Sequence, residues 1–191
     1  YKEAKKRAAE NPPAYPWKRG IGVACTWKGT GAERDEVDAD TTNDLTLPPH
    51  QRQGHQTAGV ELLQDGRIRV LSGAVEQGMG ITTVLTQIVA EAVGMLMNQM
   101  DIIIGDSMLA PYFTTTNGQK TTFRVGGALV DASRKLKHVI VKAGSEILEE
   151  PQGNIEIHAG YVYSKKLPSK KLPMKQIAGH FRQNGLPMRY D

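Results

Sequence analysis

Ala58-Gly59-Val60-Glu61-Leu62-Leu63-Gln64-Asp65-Gly66-Arg67-Ile68-Arg69-Val70-Leu71-Ser72-Gly73 decides how the chain folds. Apolar residues alternate on both sides of Asp65-Gly66, a dipeptide that suits a turn needing positive φ, so the stretch predicts a β-hairpin. Ile68 and Val70 share one face, and Arg67 and Arg69 take the other. After Gly78-Met79-Gly80 the period changes. Ile81, Val84, Leu85, Ile88, Val89, Ala92 and Val93 follow helical spacing, with Gly94 as the C-cap. A short buried strand is expected at Met100 to Ile104. A second long helix follows from about Arg124 to Leu148, with Val125, Ala128, Leu129, Ala132, Leu136, Val139, Ile140, Ala143 and Ile147 on its apolar stripe.

Working outward, residues 1–10 predict a Lys- and Ala-rich helix stopped by Asn11-Pro12-Pro13. The segment Gly20 to Trp27 predicts a strand carrying Ile21, Val23 and Cys25 on alternate positions. Residues 29–57 are polar and lack periodicity, which predicts a long loop. Asn154–His158 and Gly160–Ser164 read as short strands, and Met174–Gln183 as a last helix before Asn184-Gly185. The whole, residues 1–191, predicts a single domain of α+β class. Two long helices pack on one face of one sheet in a two-layer arrangement, and the hairpin is followed by helix, strand and helix.

Only 6% of residues are aromatic, so the core must come from aliphatic side chains. The net charge is +4. Lys and Arg gather near the two ends, which predicts two solvated surfaces; a basic nucleic-acid-binding module is the competing reading. The few aromatics weigh against stacking on bases. The single cysteine, Cys25, excludes an internal disulfide and fits a reducing, cytoplasmic setting. Its apolar neighbours predict a buried, inert thiol. No run is apolar for long enough to cross a bilayer. His50, His55, His138, His158 and His180 show no metal-ligand spacing, so no zinc site is expected. A chain starting at Tyr1 reads as a segment of something longer.

Two stretches could carry chemistry. Glu76-Gln77-Gly78-Met79-Gly80-Ile81-Thr82-Thr83 joins a strand to a helix. Its glycines let backbone approach a ligand closely, and the helix start offers N–H groups and a positive dipole end to an anion. An ordinary strand-to-helix turn is the plainer alternative. Thr114 to Thr122, with Asn117, Gly118, Gln119, Lys120 and Thr121 at its centre, also precedes a helix. Its hydroxyls, amides and lysine suit a polar, anionic ligand, or else a solvated loop with Thr122 as a cap.

Taken in order, Asp65-Gly66-Arg67-Ile68-Arg69-Val70, Gly73-Ala74-Val75-Glu76-Gln77-Gly78-Met79-Gly80, Thr83, Gln87, Ala90-Glu91, Gly94, Ile102-Ile103-Ile104-Gly105-Asp106-Ser107, Pro111, the Thr-rich loop and Gly126-Gly127-Ala128 carry a resemblance. The segment resembles the molybdopterin-binding domain of the xanthine dehydrogenase/aldehyde oxidase-type molybdenum hydroxylases, and the chain looks like the N-terminal part of that domain. Lys18 to Ala24 looks like its lead-in strand, and Arg182 to Tyr190 like the join to its next part.

The resemblance implies that Gly78, Met79 and Gly80 form a loop contacting the pterin. It implies that Asn117, Gly118, Gln119, Lys120 and Thr121 hold the cofactor's pyrophosphate tail. Met79 stands where the family usually has Gln, and Asn117 and Gln119 replace Gly and Ser. The family's catalytic Glu, in a Gly-rich segment near the end of the subunit, has no match here. The resemblance thus implies a cofactor-binding fragment, inactive alone. The oxidoreductase it belongs to would hydroxylate an aldehyde or N-heterocycle with water-derived oxygen. Iron–sulfur clusters and FAD are expected on other domains or subunits, which together with the remaining molybdenum-binding domains are the expected partners. A family relative that has lost activity and serves in assembly is the further alternative.

Overall fold

The computed structural model describes residues 2–10, 22–25, 57–113, 116 and 121–191. Helix α1 is Lys2–Ala9. The hairpin forms as expected: β1 (Ala58–Leu62) and β2 (Ile68–Ser72) pair antiparallel, from Ala58 opposite Ser72 to Leu62 opposite Ile68. Its turn spans Gln64–Gly66. The Gly66 N–H donates to the Leu63 carbonyl at 2.9 Å, and the Leu63 N–H to the Arg67 carbonyl at 2.8 Å. Gly66 supplies the positive φ, 89°, that closes this three-residue form.

From β2 the chain crosses through α2 (Ile81–Val93) to β3 (Met100–Ile104), which lies parallel to β2. β7 (Arg189–Tyr190) pairs with the other side of β1, giving the order β3-β2-β1-β7. Ala58, Val60, Leu62, Ile68 and Val70 face Leu85, Val89 and Val93 of α2 and Leu129, Leu136 and Ile140 of α3 (Gly126–Leu148). Alternation in the strands and the helical stripes meet in one core, and its burial supplies the main driving force. A π-helical turn, Thr121–Val125, leads into α3. The opposite sheet face carries an ion row across adjacent strands. Arg69 Nε lies 2.9 Å from the Asp101 carboxylate, and Arg69 Nη1 lies 3.5 Å from that of Glu61.

Three expectations need amendment. The strands near 154–164 exist, as β4 (Ile155–His158) and β5 (Tyr161–Ser164), but they do not extend the main sheet. With β6 (Lys171–Pro173) they form a second, antiparallel sheet. Their inward residues Ile155, Ile157 and Val162 cover the later part of α3. Gly144 makes room there: a Cβ on it would stand 2.5 Å from Val162 Cγ1. β3 is an edge strand, and only Met100 in it is fully buried. Residues 22–25 form no strand, neither sheet takes them in, and Cys25 is exposed rather than buried. The rest of that expected strand, and the expected loop over 29–56, lie outside the described residues. Helix α4 (Met174–Gln183) turns Met174, Ile177, Ala178 and Phe181 into the core.

Candidate functional site

The parallel strands β2 and β3 end side by side, where crossover geometry commonly leaves a crevice for ligands. The Gly105 N–H donates to the Ser72 carbonyl at 3.0 Å and ties the two ends together. Beyond Gly105, the Asp106 carboxylate accepts the N–H groups of Met108 and Leu109 at 2.8 and 3.1 Å, curling the chain into a tight turn. The chain then returns past Gly73, where a Cβ would stand 2.4 Å from that of Phe113. A cleft of about 420 Å³ results, lined by Gly73, Gly105, Asp106, Ser107, Tyr112 and Phe113 among others.

On the other branch, Val75 donates its N–H to Thr116 Oγ1 at 3.3 Å. The chain then folds over the Glu76 side chain. One carboxylate oxygen accepts the N–H groups of Gly78 and Gly80 at 2.9 and 3.0 Å. The other accepts the N–H and hydroxyl of Thr82 at 3.2 and 3.4 Å. These bonds, the Thr82 N–H foremost, hold the Glu76 carboxyl below its ordinary pKa, because they favour the charged form. Gly80 is the N-cap of α2 at φ 75°, without a side-chain cap of its own, and no acid stands in the helix's first turn. The Glu76 carboxylate therefore complements the helix dipole from outside the helix.

The anion position anticipated at this helix start is thus held by the protein's own carboxylate. Sequence reading passed over Glu76 as a ligand of the turn. The available signal was an acid two residues before a Gly-x-Gly that opens a helix. Gly78, at φ 91°, and Gly80 face away from the described residues: a Cβ on either would meet none of them within 4 Å. Met79 between them is half exposed.

Of the second stretch, Asn117, Gly118, Gln119 and Lys120 lie outside the described residues. Its two flanks are placed. Thr116 holds Val75, and Thr121 is buried at the start of the π-helical turn, next to α2. Gly126 of α3 lies against Ile88 of α2, with 3.0 Å from its would-be Cβ to Ile88 Cδ1. Among the described residues no group of three or more His, Cys, Asp or Glu side chains could hold a metal ion. No helix among them is long and apolar enough to cross a membrane.

The chain has counterparts among known proteins. The sequence pattern of the molybdopterin cofactor-binding domain matches residues 1–190. The chain belongs to that family. Among relatives, the gamma subunit of the 6-hydroxypseudooxynicotine dehydrogenase complex of Paenarthrobacter nicotinovorans is 34% identical over 64% of this chain and 15% of its own length. A putative xanthine dehydrogenase molybdenum-binding subunit of Escherichia coli is 30% identical over 84% of this chain and 20% of its own length. The solved structure of reconstituted CO dehydrogenase from Oligotropha carboxidovorans superposes with a TM-score of 0.63 at 25% identity. That overlap covers 75% of this chain and 19% of the other. The chain spans a fifth or less of the length of these relatives.

A flat group such as a pterin would fit against the outer rim at Gly78–Gly80, where the described residues leave the backbone uncovered. The inward N–H groups of Gly78, Gly80 and Thr82 are already satisfied by Glu76. The family assignment also displaces the reading of the chain as a basic nucleic-acid-binding module.

Proposed function

We propose that this chain is a cofactor-binding part of the molybdenum-binding subunit of a xanthine dehydrogenase/aldehyde oxidase-type molybdenum hydroxylase. The parent enzyme would hydroxylate an aldehyde or N-heterocycle with oxygen from water. When bound, the cofactor supplies a molybdenum centre that takes electrons from the substrate. The residues of this chain bind and orient it. Gly78, Met79 and Gly80 offer backbone and a half-exposed thioether to the pterin. Asn117, Gly118, Gln119, Lys120 and Thr121 form the loop for the pyrophosphate end. Thr121, being buried, anchors that loop rather than reaching outward. The catalytic Glu would come from elsewhere in the subunit, and partner domains or subunits would hold the iron–sulfur and flavin groups.

The observation that carries this reading is the Val75–Thr116 hydrogen bond. It brings the flank of the second loop to the segment that forms the first, beside the ends of β2 and β3. The test is the molybdenum and pterin content of the complete protein, purified from a host that loads other molybdenum enzymes. Stoichiometric molybdopterin is expected. Protein free of molybdenum and pterin from such a host would overturn the proposal.

A further inference from the structure

The four hydrogen bonds to Glu76 have a consequence for what the first turn can bind. A helix start preceded by glycines is a ready anion site only while its N–H groups are unclaimed. Here Gly78, Gly80 and Thr82 all donate to one carboxylate, and the Thr82 hydroxyl completes the set. A phosphate entering this position would have to displace those bonds and sit beside a like charge. The same bonds fix the turn. Gly78 and Gly80 both take left-handed conformations, and each donates to the same carboxylate oxygen, so one side-chain atom ties their two N–H groups together. Among the described residues, the side of the turn left open is the outer one, where a Cβ on either glycine meets nothing within 4 Å.

We propose that Glu76 is a positioning residue: a resident anion that shapes the Gly78–Gly80 turn for an uncharged, flat part of the ligand and bars phosphate from the start of α2. Its cofactor half rests on the function proposed above; its phosphate half does not. The phosphate end of a ligand on this domain must then be held off the Gly78, Gly80 and Thr82 N–H groups.

Glu76→Ala in the complete protein tests both halves. Molybdopterin retained through gel filtration is expected to fall about tenfold or more, in the range seen when groups supporting a bound cofactor are lost. The cofactor-free variant is expected to gain a rise in Tm with inorganic phosphate, over chloride at equal ionic strength, beyond that of the cofactor-free wild type. Unchanged retention overturns the positioning role, and an unchanged phosphate response overturns the exclusion. Should Glu76→Ala not fold, Glu76→Gln keeps the side-chain length and one acceptor. It is expected to fall between wild type and loss in retention, and behaviour identical to wild type overturns the positioning role. A wild-type protein without cofactor would count against the proposed function, while the phosphate measurement still reads Glu76.

Discussion

The two ends of α2 are both glycines in left-handed conformation, yet they serve different neighbours. Gly94, at φ 96°, closes the helix by donating its N–H to the Ala90 carbonyl, and a Cβ there would stand 2.4 Å from the Ile157 carbonyl oxygen. Gly80, at φ 75°, opens the helix, and a Cβ there would meet nothing within 4 Å. At one end glycine is required by the protein's own packing against the second sheet. At the other, packing within the described residues makes no such demand. The Glu76 carboxylate holds this turn through the N–H groups of Gly78, Gly80 and Thr82. On the function proposed above, the same helix joins a closed, structural end to an end that takes the cofactor.

Substitutions at the two ends should separate these roles. Gly94→Ala combines left-handed strain with a backbone clash and should cost roughly 3–5 kcal/mol in unfolding experiments. Once allowance is made for stability, cofactor content should follow the folded fraction. Gly80→Ala adds strain without a clash and should cost about 1–2 kcal/mol. Its cofactor content should fall by more than its folded fraction does. If the two variants lose cofactor only in proportion to stability, the distinction between the ends disappears.

Acid should act on the open end through Glu76. The Glu76 carboxyl is held below its ordinary pKa in the fold, chiefly by the Thr82 N–H. The stability it contributes is therefore complete above the usual carboxylate range and is lost as pH falls through its lowered folded value. Wild type and Glu76→Gln should converge in Tm in that acid window, and a constant gap across it would contradict the assignment. The smallest effect is expected in the closed core. Ser133 Oγ is buried without a partner among the described residues, so Ser133→Ala should be neutral or stabilise by up to about 1 kcal/mol, measured by denaturant unfolding.

The parts legible in the sequence are those with a sustained period or a committed turn. The hairpin, α2 with its Gly94 cap, α4 and most of the α3 stripe follow from apolar spacing. The stripe fails where small residues are buried by close approach. Gly144 and Ser133 are inside, while Ile147 is partly exposed, because helix–sheet contact selects for fit as well as hydrophobicity. β6 and β7 are too short to show any alternation, so neither was expected as a strand. Without β6, nothing indicated that β4 and β5 would form a separate sheet. The glycines of the first turn stood out, since few residue types tolerate positive φ. The role of Glu76 did not, because a carboxylate folding back onto the following backbone leaves only a faint mark in sequence. Cys25 misled for the opposite reason: apolar neighbours suggested burial, and the thiol is exposed.

The most direct test is a structure of the complete protein with its cofactor bound. The pterin is expected in contact with backbone at Gly78–Gly80, Glu76 still bonded to Thr82, and the phosphates beside the segment between Thr116 and Thr121. Phosphate seated on the Gly78, Gly80 and Thr82 N–H groups, or a cofactor remote from both loops, would contradict it.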